Sequence, residues 1–170
     1  MEARRERISI LSRRSRGAAL LPTFLVELST ALGVSVTPKE LLDLAETDTV
    51  SSILSDGYRV VLEGRQPSFR KFFSKAQESH LLYLVDGLNN RIGTESVVLH
   101  IKRSHLCGAI VAPASRVLAR SKEIIGLDGD SLNIVSTDYR QGLILDFNPD
   151  EFEEHYELAI WGDRWPLATI

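Results

Sequence analysis

The chain has 170 residues, of which 44% are hydrophobic and 25% are charged, and its net charge is −3. This composition is that of a folded globular protein and excludes wholesale disorder, and the length suffices for one domain with its own hydrophobic core. The single cysteine excludes an internal disulfide framework and is typical of a reducing compartment, so a cytoplasmic location is expected. No apolar run approaches the roughly 20 residues that span a bilayer, and no membrane partner is expected.

The N-terminal end of the chain is strongly basic. Six arginines lie within the first sixteen residues, namely Arg4, Arg5, Arg7, Arg13, Arg14 and Arg16. Few apolar side chains accompany them, which predicts that residues 1–16 form a basic arm or a loosely docked helix. Contact with nucleic-acid phosphates is one use for such arginines, and a plain solubilising terminus is the other. The remaining residues, 17–170, are predicted to form a single α+β domain.

The part of the chain over about residues 17–92 carries helix signals and is predicted to form a helical layer. Pro22 is typical of a first helical turn and predicts a helix that ends at Gly33. The sequence Thr37-Pro38-Lys39-Glu40 contains a capping box, which predicts the start of a second helix. A short helix capped by Asp48 or Thr49 is expected to follow and to run through Leu54, before Asp56-Gly57 ends it.

Two further segments in this layer are rich in β-branched or aromatic residues. The run Tyr58–Glu63 predicts a strand, with a helix as the alternative because its apolar residues do not alternate cleanly. Ser68 is a suitable helix cap, so the three phenylalanines that follow it (Phe69, Phe72 and Phe73) are predicted to lie on a helix. Leucines at helical spacing predict another helix over residues 77–90.

The period of the hydrophobic pattern changes after Gly93, where a sheet-rich part over about residues 93–165 is predicted. The segment Glu95–Lys102 alternates apolar and polar residues as a strand does, and Cys107–Val111 is the expected antiparallel return. Pro113 is expected to open a helix. Three more strands are predicted over residues 131–136, 142–147 and 155–161. The order β-β-α-β-β-β on a mostly antiparallel sheet, with the helical N-terminal half packed against it, is an α+β fold.

His105 and Cys107 are the residues with the greatest chemical potential in the sequence. Two residues apart on an extended segment, they would point to one face, as a histidine base beside a thiol nucleophile would in a hydrolase. Structural packing of Cys107 is the competing interpretation, since free cysteine is often buried as a small hydrophobe. The spacing matches no zinc site, and no glycine motif for phosphates is present. We therefore predict no catalytic residue, no metal and no cofactor.

The C-terminal hairpin is strongly acidic, and its carboxylates have no Lys or Arg among them. Asp146 lies in its first strand, and five more acids follow: Asp150, Glu151, Glu153, Glu154 and Glu157. These five, together with an exposed Trp165, are predicted to form a partner-binding surface, since aromatic side chains anchor interfaces and carboxylates steer basic partners. The sequence leaves open whether Asp146 and Glu157 face one another as a pair of acids would in a glycosidase.

In composition and layout, the last eighty residues resemble bacterial immunity proteins that neutralise cationic toxins. The resemblance implies a non-enzymatic module whose acidic sheet face binds a protein with a basic surface. The alternative hypothesis is a nucleic-acid-associated or regulatory protein that uses the N-terminal arginines. A third hypothesis is a hydrolase centred on His105 and Cys107.

Overall fold

The computed structural model describes residues 2–65, 67–128, 131–149 and 154–165. It contains a six-stranded sheet in which every pair of neighbouring strands is antiparallel, and helices that cover both of its faces. The predicted α+β class is confirmed, with the helices concentrated in the first half of the chain and the sheet in the second.

The helices and strands have the following bounds. The helices are α1 (Glu2–Leu32), α2 (Leu44–Leu62), α3 (Glu78–Ile92), α4 (Ser104–Cys107), α5 (Ala114–Ala119) and α6 (Ser121–Asp128). The strands are β1 (Ser68–Ser74), β2 (Ser96–His100), β3 (Ile110–Pro113), β4 (Ser131–Ser136), β5 (Gly142–Pro149) and β6 (Glu154–Trp161). In space the strands lie in the order β1-β6-β5-β4-β2-β3, which puts β1 at one edge of the sheet.

The two faces of the sheet are covered by different helices. On one face, the main core packs α1, α3, α5 and α6 against the strands through residues such as Phe24, Leu88 and Ile124. On the other face, α2 packs alone, through Val50 and Leu54 among others. Because side chains alternate along each strand, β2 to β6 each contribute to both layers. The domain is therefore a three-layer arrangement with the sheet in the middle.

Helix α1 begins much earlier than predicted, because Pro22 lies inside it rather than in its first turn. Proline cannot donate a backbone hydrogen bond to the carbonyl four residues before it, here that of Ala18. Burial on either side of the proline offsets this loss. Phe24 and Leu28 are fully buried, and Gly17 lies so close to α4 that a Cβ atom there would be 2.0 Å from the carbonyl oxygen of Leu106. The helix runs across the predicted boundary at residues 16 and 17, and the division into arm and domain stays a prediction.

Helix α2 takes the place of two predicted elements, the short helix through Leu54 and the strand over Tyr58–Glu63. The capping box at Thr37 and Glu40 forms, but it opens only a three-residue 3-10 turn, and a second capping box at Asp43 and Glu46 starts α2. The helix then continues through Gly57, where a Cβ atom would be 2.0 Å from the Trp161 ring. The glycine is thus needed for close packing and does not end the helix. The strand predicted over Tyr58–Glu63 is wrong, and the alternative, helix, is found.

The helix predicted to begin at Ser68 is also wrong, because this segment is strand β1. It pairs with β6 along its whole length, from Ser68 opposite Trp161 to Ser74 opposite His155. Local sequence favoured a helix cap, but pairing with a strand more than eighty residues later determines the structure. The prediction of helix 77–90 is confirmed by α3, and the predicted strands in the last part of the chain are confirmed by β4, β5 and β6.

Candidate functional site

The register of β5 and β6 places Asp146 directly opposite Glu157. Opposite residues in antiparallel strands project to the same face, and here that is the face on which α2 packs. The question left open by the sequence is thus answered, since the two acids do face one another. Their surroundings differ: Asp146 is half-buried, whereas the Glu157 residue is only 6% exposed.

Glu157 is committed to contacts inside the protein. The Tyr58 hydroxyl from α2 lies 3.0 Å from both of its carboxylate oxygens, and Arg70 Nε from β1 lies 2.5 Å from Oε1. Burial, followed by the hydrogen bond to Glu157, raises the pKa of the Tyr58 phenol above its usual value. Glu157 was predicted to belong to the partner-binding surface, and this is wrong. A carboxylate on a sheet face half covered by a helix needs partners, and Arg70 and Tyr58 supply them.

Trp165 was predicted to be exposed, and this too is wrong, because none of its surface is exposed. Its ring belongs to the main core. The buried Gln141 side chain holds the segment in place, since its Oε1 accepts hydrogen bonds from the backbone N–H groups of Arg164 and Trp165 at 2.9 and 3.2 Å. The turn after β6 therefore directs the indole inward, and Trp165 cannot anchor a partner in this fold.

The remaining acids of the predicted surface lie mostly outside the described residues. This applies to Asp150, Glu151 and Glu153 in the connection between β5 and β6. Glu154 is the first residue of β6, where its backbone pairs with Pro149. Between Asp146 and Asp163 the sequence has no Lys or Arg, so this end of the hairpin is acidic in sequence.

Aromatic side chains lie on both faces of the sheet at the end where β5 and β6 are joined. On the α2 face, Phe72 of β1 is 50% exposed, and its ring centroid lies 6.0 Å from that of His155. On the opposite face, Phe147 and Tyr156 form a tilted pair with centroids 5.3 Å apart. We call these four residues, together with Asp150, Glu151, Glu153 and Glu154 in sequence, the hairpin-end surface. Sequence reasoning missed Phe72 because it was placed on a helix.

The N-terminal arginines are used in different ways. The Arg13 guanidinium already has partners within the protein. It forms a bidentate ion pair with Asp48 at 2.7 Å and also donates to the carbonyl of His105. This pair raises the pKa of Arg13 and lowers that of the Asp48 carboxyl. Arg7, Arg14 and Arg16 are exposed. The side chains of Arg4 and Arg5 lie outside what the structure describes.

Helical geometry separates the exposed arginines. Residues follow one another at about 100° around a helix, so Arg7 and Arg14 project to the same side of α1 and Arg16 to the opposite side. The six arginines predicted as a possible nucleic-acid-binding set therefore do not form a single stripe, and Arg13 is already paired.

His105 and Cys107 lie on the helical turn α4 and not on an extended strand. On a helix, residues two apart point in directions about 200° apart, so the predicted common face does not exist. His105 Nδ1 contacts the carbonyl of Lys102, and Cys107 Sγ lies 3.8 Å from the carbonyl of Gly17. A further histidine, His100, lies at the end of β2, and burial lowers its pKa.

A groove of about 360 Å³ opens between α1, α4 and the segment that leads into α2. Arg14, Ala18 and Leu21 line it from α1, and Leu106 and Cys107 line it from α4. Residues 42–45 close the third side. Most of the lining side chains are apolar, so the groove suits an apolar group more than a charged one.

Comparisons with protein-family models, with curated proteins and with solved structures find no match to this chain. None of the helices that the structure describes combines the length and the apolar character needed to cross a membrane. Among the described residues, no three His, Cys, Asp or Glu side chains come together as they would around a metal ion.

Proposed function

We propose that the protein is a non-enzymatic binding module that docks a protein with a basic surface at the hairpin-end surface. The observation that supports this most directly is Phe72, a large apolar side chain that is half exposed near the end of the sheet where β5 and β6 are joined. Helix α2 packs further along the same face, over Trp161 and Ala159, and meets this end of the sheet through Tyr58, which bonds to Glu157. An exposed aromatic ring next to carboxylates combines an anchor with electrostatic steering.

In sequence, the connection between β5 and β6 has the negative charge that this role requires. Arg70 is nearby, but its guanidinium pairs with Glu157 and lies over the Phe72 ring, with 4.8 Å between Cζ and the ring centroid. Arg70 therefore neutralises the buried Glu157 carboxylate. The resemblance to immunity proteins implies a cationic toxin as the partner, acting in the cytoplasm that the single cysteine suggests.

The proposal is tested by comparing two variants with equal changes in charge. The hairpin variant carries Asp150→Asn, Glu151→Gln and Glu153→Gln, and the control variant carries Asp56→Asn, Glu63→Gln and Asp86→Asn. The control acids are exposed on α2, α3 and the turn after α2. Proteins from the native source are captured on wild type and on both variants, and a captured basic protein is purified for binding measurements.

The expected result is that one basic protein binds to wild type and to the control variant but much more weakly to the hairpin variant. Association should slow as salt is raised towards physiological strength, where the screening length is about 8 Å. Phe72→Ala should speed dissociation instead, because it removes an anchor. Equal binding by the hairpin and control variants would refute the proposal.

A further inference from the structure

The exposed side of α1 that leads into the groove has a regular pattern. Residues three, four and seven apart lie on one side of a helix, and this spacing joins Arg7, Ile10, Leu11, Arg14, Ala18 and Leu21. We call these six residues the α1 stripe. Its last three members line the groove, and its first three are exposed. At 1.5 Å per residue the stripe is about 21 Å long, or four helical turns.

The stripe is apolar along its centre. Leu11 is 64% exposed and Ile10 is 45% exposed, and both precede the point at which α1 meets α4 at Gly17. Such side chains on a helix of a soluble domain are normally buried against a neighbour. Beyond them, Ala18 and Leu21 continue the apolar surface into the groove. The stripe and groove thus form one long apolar track.

The charges along the track are positive. Arg7 and Arg14 lie one heptad apart within it and are exposed. Asp43 lines the groove, but its carboxylate caps α2 by accepting a hydrogen bond from the Glu46 backbone N–H at 2.8 Å. A second copy of α1 packed along this track would bring arginines near arginines, which opposes self-association.

We infer that the α1 stripe and the groove bind an acidic amphipathic helix from a partner protein. Apolar side chains of that helix at positions i, i+3, i+4 and i+7 would contact Leu11, Ala18 and Leu21, and flanking carboxylates would pair with Arg7 and Arg14. A nucleic acid would leave the leucine and isoleucine without apolar contacts. A membrane surface is flat and would not fill the groove between α1 and α4.

The test uses a synthetic peptide of about 18 residues, with leucines at helical spacing and glutamates on the flanks, and measures binding by fluorescence anisotropy. Leu11→Glu and Arg14→Glu should each weaken binding by about tenfold or more, as loss of an anchor does. Two variants of exposed residues on the same helix are the controls. Arg16→Glu makes the same charge change as Arg14→Glu on the opposite side, and Val26→Glu places a carboxylate beyond the track. Both should bind as wild type does.

Other outcomes would overturn the inference. These are no binding of the acidic peptide, equal binding of a peptide with lysines in place of glutamates, or equal losses in the control variants. Tighter binding of a single-stranded or duplex oligonucleotide, or of phosphatidylserine vesicles, that depends on Arg7 and Arg14 would assign the surface to nucleic acid or to membrane. A dimer that Leu11→Glu dissociates would assign it to a second copy. All of the variants change exposed residues, so circular dichroism should show an unchanged fold.

Discussion

The two faces of the sheet differ in how completely they are covered. The face beneath α1, α3, α5 and α6 is apolar along its strands, with Leu132, Leu145 and Leu158 side by side in register across three strands. The face beneath α2 is divided. Val98, Val135 and Trp161 pack under the helix, whereas the other end carries the half-buried Asp146 and Glu157, which bonds to Tyr58 of α2.

A single helix can bury only the strip of sheet that its own apolar side chains reach. Here the close contact of Gly57 of α2 with the Trp161 ring places α2 over one end of the strands. At the other end, the buried Glu157 carboxylate needs polar partners. Tyr58 and Arg70 provide them. The more completely covered face therefore contributes mainly stability, and the less covered face leaves the Phe72 ring exposed.

The largest expected difference between the faces is in the free energy of unfolding that is lost when an aromatic residue is replaced by alanine. Trp165→Ala removes a fully buried ring from the main core and should lower the free energy of unfolding by about 3–5 kcal/mol. Phe72→Ala removes a half-exposed ring from the partly covered face and should cost about 0.5 kcal/mol or less. Denaturant unfolding measures both. A loss below about 1 kcal/mol for Trp165→Ala would show that its burial contributes little.

Trp165→Phe is a sharper variant of the same test. Among the described residues, the buried indole Nε1 has no hydrogen-bond partner. Phenylalanine keeps an aromatic ring and removes that N–H group, so Trp165→Phe should retain most of the stability that Trp165→Ala loses.

The second prediction concerns the polar end of the α2 face. Glu157→Ala leaves the Tyr58 hydroxyl and the Arg70 guanidinium without their carboxylate and should cost about 1–3 kcal/mol. Glu63→Gln, which alters an exposed carboxylate paired with Arg65, should change stability by less than about 1 kcal/mol. A double-mutant cycle with Tyr58→Phe should give a positive coupling energy with Glu157. If the two substitutions are additive, the cluster does not stabilise this face.

The sequence predicted the strands of the C-terminal part better than it predicted β1, whose pairing partner lies far away in the chain. Strands β4, β5 and β6 alternate clearly or are bounded by glycine and aspartate turns, so local pattern was sufficient for them. The segment of β1 has no such pattern, because Phe72 and Phe73 are adjacent and face opposite sides. Its conformation is determined by pairing with β6, which no local pattern indicates.

The same limit applies to the candidate site. The acidity of the hairpin is visible in the sequence, but burial of Glu157 depends on Arg70 and Tyr58 from two other elements. The burial of Trp165 depends in the same way on Gln141, which lies before β5. Gly57 was interpreted as a helix end, although its lack of a side chain serves contact with Trp161. Each error concerns a residue whose role is set by a distant partner.

The third prediction is a pH dependence that arises on the partly covered face. The folded protein raises the pKa of Tyr58 above its usual value near 10. As the pH rises past 10, the unfolded chain loses this phenolic proton before the folded protein does, which favours unfolding. The contribution is therefore fully present below pH 10 and is lost as the pH rises towards the folded pKa. Tyr58→Phe should show a shallower decline in unfolding free energy at alkaline pH than wild type.

The smallest expected effect concerns the link between the two helical layers. Arg13 of α1 pairs with Asp48 of α2. Among the described side chains of residues 7–16, that of Arg13 is the one that forms an ion pair. Because both partners are partly exposed, Arg13→Ala should lower the free energy of unfolding by only about 0.2–1 kcal/mol.

Removal of residues 1–12, which keeps Arg13, should cost less stability than removal of residues 1–16, which deletes it. Thermal unfolding of the two truncated proteins and of Asp48→Asn would compare these losses. If removal of residues 1–12 alone lowered the melting temperature by more than about 10 °C, the N-terminal turns of α1 would be part of the core and not an exposed surface.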